Sequence, residues 1–149
     1  MSQAHYDFID FSITVGSEAG TKESSVQIRA WMKNLSEFLP SLDFVHLQPQ
    51  ADWIEHKPEH LVSAVLAKPA RHYVAYLADE REVSDPTAGQ PIAGEIVFHL
   101  PPGDYLASLY SPTLGSKSPG INVHGGAQAA KLELPAFRHD IVVEVRRTQ

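Results

Sequence analysis

Hydrophobic and polar positions divide the chain into two unequal parts. Residues 7–15 read DFIDFSITV, and the alternation of Phe11, Ile13 and Val15 with Ser12 and Thr14 predicts a strand. The adjacent Phe8 and Ile9 predict burial on both faces over its first half, as in a parallel sheet. A Gly- and Ser-rich loop, GSEAGTKESS, follows. Ile28, Trp31, Met32, Leu35, Phe38 and Leu39 then recur at helical spacing, with Ser24 and Gln27 as a capping box and Pro40 as a stop, so a helix is predicted over 24–39. Its wide stripe is read as core packing, Trp31 included, and not as a cofactor box. Residues 43–47 (DFVHL) are expected to leave the helix in extended form.

The pattern changes after residue 48. QPQADWIEHKPEH is polar, holds two prolines and shows no period, so 49–60 is read as a connector. Beyond it the period is two. Strands are predicted at 61–67, 72–78, 92–100, 104–110, 129–134 and 140–145, separated by Gly- and Pro-rich turns. Tyr73, Ala75 and Leu77 alternate, as do Ile96, Phe98 and Leu100. Short strands at near-regular spacing without intervening helices indicate an antiparallel β-sandwich over 61–149. The fold class expected is therefore mainly β, an antiparallel β-sandwich preceded by one strand–helix unit over 1–48.

Charge and composition narrow the function. Twelve Lys and Arg against 18 Asp and Glu give a formal charge of −6, which argues against a nucleic-acid partner. No apolar run nears the ~18 residues that span a bilayer, and residues 1–10 lack the pattern of a signal peptide; no membrane partner is expected and the cytoplasm is the default compartment. The absence of cysteine removes disulfides, thiolate nucleophiles and cysteine-based metal sites.

Eight histidines bring metal chemistry into question. His56-Lys57-Pro58-Glu59-His60 has the H-x-x-E-H spacing of an inverted zinc-peptidase motif. That mechanism requires a helix, so that both histidines share a face and the glutamate reaches a metal-bound water. Pro58 and the lack of an apolar period speak for a solvated linker instead; a small metal-dependent hydrolase using His56, Glu59 and His60 is the lesser alternative, and no cofactor is expected. His139-Asp140 with Ser108, Ser111 or Ser116 would make a triad by composition, but no nucleophile elbow is present. The glycines of GSKSPG (115–120) and His124-Gly125-Gly126 precede no helix and are read as turns, not phosphate loops. Trp53 is a candidate for stacking on a sugar ring, with covering the joint between the two parts as the favoured reading. Asp7, Asp10 and Glu18 lie at or after the first strand, yet one strand offers no second carboxylate at a defined separation for glycoside hydrolysis.

Several segments together resemble the C-terminal end of a bacterial glycoside-hydrolase-like family, in which a TIM barrel is followed by a small antiparallel β-sandwich. They are TVGSEAG (14–20), LSEFLPSLDFVHLQP (35–49), AVLAKPARHYVAYLAD (64–79), EIVFHLPPGDYLASLYSPTLGS (95–116) and LELPAFRHDIVVEVRR (132–147). Terminal modules of this kind are also similar to collagen-binding-type domains. The resemblance implies that Pro102-Gly103 turns the chain, that Tyr105 and Tyr110 pack, and that Asp140 caps or bonds a loop. Leu109-Tyr110-Ser111 stands where many relatives carry Trp or Phe followed by Asp, so no sugar-facing aromatic is assigned there. It further implies that residues 6–15 and 24–39 correspond to the last barrel strand and helix, and that Glu18 lies on a top-face loop where it contacts substrate in a full-length relative.

One β/α unit cannot close a barrel or surround a glycosidic bond. The expectation is thus a truncated or terminal, non-catalytic module that packs on a catalytic TIM-barrel domain or subunit, or supports carbohydrate recognition. A free-standing carbohydrate- or protein-binding module is the alternative. The apolar N-terminal part also predicts self-association.

Overall fold

The computed structural model describes residues 22–81 and 85–148. The expected strand over 7–15, with Asp7 and Asp10, and the candidate Glu18 lie outside the described residues.

Helix α1 runs Lys22–Phe38 and passes into a 3-10 turn, Leu39–Ser41, which holds Pro40 in its first turn, where an amide donor is not needed. Ser24, expected as the cap, lies inside the helix. A second 3-10 turn, Phe44–His46, replaces the expected extended exit. The His46 amide donates to the Asp43 carbonyl at 3.0 Å, and the His46 ring Nδ1 sits 2.6 Å from Asp43 Oδ1. This local side-chain bond gives the backbone an alternative to extension.

Ten strands follow: β1 Gln48–Pro49, β2 Ile54–His56, β3 Leu61–Lys68, β4 His72–Asp79, β5 Ile92–Phe98, β6 Gly103–Ser111, β7 Ser116–Lys117, β8 Ile121–Gly125, β9 Ala130–Phe137 and β10 Asp140–Arg147. They form two antiparallel sheets. The larger runs β1-β3-β4-β10-β6-β7, with β8 also paired to β6; the smaller runs β2-β5-β9. The antiparallel β-sandwich expected from the sequence is the architecture observed, with a helix ahead of it.

The six long strands fall where the alternation placed them. The segment 49–60, read as a connector, instead supplies β2, part of β1 and the buried Trp53, so it belongs to the sandwich. Its strands are two and three residues long, too short to show a period.

Side-chain alternation divides the large sheet into an inner and an outer face. Leu61, Val65, Ala67, Tyr73, Ala75, Leu77, Tyr105, Ala107, Leu109, Ile141, Val143 and Val145 point inward and meet Ile92, Ile96, Phe98, Leu132, Leu134 and Phe137 of the small sheet in one continuous core. Full burial of each such aliphatic side chain contributes about 1.5–3 kcal/mol. The outer face carries a second apolar cluster, in which Phe38 and Leu42 from the end of the helical segment cover Val74, Tyr110 and Val142. Phe38 stacks on Tyr110 with ring centroids 4.1 Å apart and planes 8° apart, and Tyr110 donates its hydroxyl to the Asn34 carbonyl at 3.0 Å.

Where β6 begins and its partner β8 ends, Gly125 faces Gly103. A Cβ at Gly125 would stand 2.2 Å from the Pro101 carbonyl oxygen and 2.8 Å from Leu100 Cβ, so only glycine allows this approach. The Gly126 amide closes the contact by donating to the Leu100 carbonyl at 3.1 Å, and Tyr105 donates its hydroxyl to Pro101 O at 3.0 Å. Because backbone cannot move aside cheaply, Gly125→Ala is expected to cost about 2–3 kcal/mol in chemical denaturation. Gly126→Ala, whose added Cβ would meet nothing within 4 Å, is the control expected to change stability little.

Candidate functional site

The outer face of the large sheet gathers most of the unusual chemistry. β10 reads DIVVEVRR and is central to the sheet, so both its faces are covered. Ile141, Val143 and Val145 enter the core, which leaves Val142 and Glu144 on the outer side. Glu144 is only 1% exposed and lies directly opposite Val74 and Ser108 on the flanking strands. Its carboxylate is fully engaged: Oε1 accepts from Arg146 Nε at 2.6 Å and sits 2.9 Å from His72 Nε2, and Oε2 accepts from Lys117 Nζ. Burial by itself would raise the Glu144 pKa. The bonds from His72, Lys117 and Arg146 outweigh it and hold the group at about 2. Arg146 also donates to the Ser41 carbonyl at 2.7 Å, tying the cluster to the end of the helical segment.

Beside this cluster lies a groove of about 600 Å³ between α1 and the sheet. Trp31, Met32 and Leu35 form one wall, and Leu66, Tyr76 and Val142 are on the other. Trp31, expected in the core, is 40% exposed, and Met32 and Leu35 are exposed with it; the stripe touches the sheet mainly through Phe38 at the helix end. The helix is held there by Asn34, whose side-chain amide donates to the Pro112 carbonyl at 2.9 Å, so the helix is pinned at one side and stands off at the other. At the polar end of the groove Tyr76 donates its hydroxyl to Asp140 Oδ2 at 3.0 Å. Burial, then the Asp140 charge and this bond, push the tyrosine pKa up to about 12. Asp140 therefore bonds a strand, β4, through Tyr76, where the resemblance implied a cap or a bond to a loop.

The candidate residues are placed as follows. Trp53 is 3% exposed and lies in the core, one face against Tyr73 (centroids 5.1 Å apart, planes 12°) and its neighbourhood completed by Phe98 at 4.5 Å. Neither ring face is open, so Trp53 offers no stacking surface to a sugar; it packs the two sheets together. His56 is in β2, while Glu59 and His60 are in the turn before β3, with His60 at φ 65°. All three are exposed and off any helix, so the shared face the peptidase mechanism needs is not formed. Among the described residues no group of three or more His, Asp or Glu side chains is placed to hold a metal ion. Ser108 faces the Glu144 cluster. Ser111 and Ser116 line one hollow with His139 and Asp140, but Ser111 Oγ accepts from the Leu114 amide and Asp140 accepts from Tyr76. No hydrogen bond among the described residues joins His139 to any of the three serines.

A second buried ion pair lies near the far end of β4. Arg81 forks onto Asp79, with Nε to Oδ1 at 2.8 Å and a terminal nitrogen to Oδ2 at 2.7 Å, and donates onward to the Gln90 carbonyl at 2.7 Å. The Arg81 bonds hold the Asp79 carboxyl at about 2 against the opposing effect of burial.

An antiparallel sandwich with a helix laid on its outer sheet is a fold found as part of larger proteins. A solved glycoside hydrolase shares it, with a TM-score of 0.62 and 13% identity over 91% of this chain and 30% of the other. A glycoside hydrolase family 5 structure from Bacteroides vulgatus aligns with a TM-score of 0.46 and 14% identity, over 78% of this chain and 24% of its own. An α-L-fucosidase, isoenzyme 2 from Paenibacillus thiaminolyticus, gives 0.43 and 15%, over 72% and 16%. No family model and no curated protein matches the sequence. The chain thus spans under a third of the glycoside hydrolase whose fold it shares. Among the described residues no helix is long and apolar enough to cross a membrane.

Proposed function

We propose that this chain is a non-catalytic accessory module of glycoside-hydrolase type, packing beside a catalytic barrel. The observation that carries the reading is electrostatic. Hydrolysis of a glycosidic bond by a carboxylate pair requires one carboxyl with a raised pKa to act as general acid, a few ångströms from an ionised partner. Among the described residues the carboxyls whose pKa is displaced are all held low. Asp43 is lowered by His46, Asp79 by Arg81, Asp85 by the hydroxyl and amide of Thr87, and Glu144 by His72, Lys117 and Arg146. Each is bonded to a donor that favours the ionised form, as in structural carboxylates. The fold shared with 30% of a solved glycoside hydrolase supports the reading of a module that accompanies such an enzyme.

Aryl-glycosides and polysaccharides incubated with the purified chain are expected to hydrolyse no faster than in buffer. Turnover that disappears in Glu18→Gln would overturn the non-catalytic reading, since Glu18 is the residue at which the resemblance places a substrate contact.

A further inference from the structure

We propose that the end of the sandwich where the β6–β7 hairpin faces the β9–β10 turn is a binding site for one neutral sugar unit of a polysaccharide. The inner face of β6 runs through Tyr105, Ala107 and Leu109, all in the core. Alternation carries that face on to Ser111, and Ser111 pairs with Ser116 of β7. Both serines therefore stand where an apolar pair would close the sandwich. In place of a closed end there is a hollow of about 630 Å³, within the range of small-molecule sites. Leu109, Phe137 and Ile141, buried members of the core, form its floor, and Pro91 and Pro135 border it from the small sheet.

The polar groups around this floor select the class of ligand. The Ser116 hydroxyl and the His139 ring make no side-chain hydrogen bond among the described residues. Ser111 Oγ accepts from the Leu114 amide at 3.3 Å, which leaves its own proton to donate. An apolar ligand would bury these groups without partners. An anion would find both bordering cations committed elsewhere: Lys117 Nζ is bonded to Glu144 on the outer face, and Arg138 donates to the Gly89 carbonyl at 2.8 Å. A sugar ring matches both features of the lining. Its C–H face covers Leu109, Phe137 and Ile141, and its hydroxyls, each a donor and an acceptor, meet Ser111, Ser116 and His139. The tight turn fixes His139 at the rim. It takes φ 68°, a left-handed conformation in which histidine is enriched, and its carbonyl accepts from the Asp79 amide at 2.7 Å. Thr113, His139 and Asp140 border both this hollow and the groove beside α1, so residues belonging to one alone must tell the two apart.

The inference rests on the reading of the chain as a glycoside-hydrolase module, and its test keeps the two apart because binding and turnover are read separately. The full chain is run in native gels containing mixed-linkage β-glucan, arabinoxylan or galactomannan, which are neutral, or polygalacturonate, which is acidic. At least one neutral polymer is expected to retard it. Ser111→Ala and Ser116→Ala together are expected to weaken that binding at least about tenfold through the loss of two hydrogen bonds. Neither serine is buried, so the doubly substituted chain is expected to keep its far-UV circular dichroism. Met32→Ser, at a residue that lines the groove and not the hollow, is expected to leave the retardation unchanged. The proposal is overturned if no neutral polymer retards the chain, if only polygalacturonate does, or if Met32→Ser abolishes binding that the serine pair keeps. A second measurement needs no substitution. With an oligosaccharide of the retarding polymer, backbone amide NMR shifts are expected to move within 111–118 and 135–140. Shifts confined to α1 would overturn the site. Hydrolysis alongside binding would overturn the non-catalytic reading and leave this site supported.

Discussion

Trp53→Ala is expected to lower the unfolding free energy by about 4 kcal/mol. The indole lies between the sheets, stacked on Tyr73 and tilted against Phe98, with 3% of its surface exposed. Removing it empties a site whose walls belong to β4 and β5, strands of opposite sheets, so neither can close the gap without parting from its neighbours. The indole N–H finds no hydrogen-bond partner among the described residues. Trp53→Phe therefore loses area but no bond, and it is expected to cost less than half as much. Both are measured by urea denaturation followed by far-UV circular dichroism, which does not depend on the tryptophan signal. A loss from Trp53→Ala below about 1.5 kcal/mol would mean that the ring does not join the sheets.

The sequence discloses part of this burial pattern and conceals the rest. Strands of seven or more residues, such as those carrying Tyr73-Ala75-Leu77 and Ile96-Phe98, are legible because burial on one face writes itself as period two. Trp53 sits between strands of two and three residues, where no period can develop, and its polar neighbours Gln50, Asp52 and Glu55 concealed a core position. Trp31 failed in the opposite direction. Helical spacing predicted a stripe and the helix is there, but period tells which face is apolar and not what lies opposite it. The pinning contact that turns the helix, Asn34 to Pro112, spans 78 residues and leaves no local trace. Glu144 drew no reading from sequence, though it is an anomaly: one charge inside a run of β-formers in a strand central to its sheet, whose hydrogen-bonding partners come from β4, β7 and two residues along β10.

That anomaly carries the other large effect. Glu144→Gln keeps the shape of the side chain and removes its charge, which leaves His72 buried without its carboxylate and returns Lys117 and Arg146 to water. The expected cost at pH 7 is about 2–3 kcal/mol, below the upper range for a buried ion pair because the two cations are half exposed and screened. The pH dependence gives the sharper test. Glu144 titrates near 4.5 in the unfolded chain and at about 2 in the folded one, so its contribution is complete above pH 4.5 and is lost as the pH falls through 2. The natural chain must therefore lose stability across that window, whereas Glu144→Gln has nothing there to lose. Asp79 titrates in the same range but is present in both proteins, and its contribution cancels in the difference. Denaturation midpoints at pH 7, 4 and 2 are expected to draw together as the acid is added, with most of the gap closed by pH 2. A gap that persists undiminished would assign the cost to packing around the amide and leave the cation cluster without a part in stability.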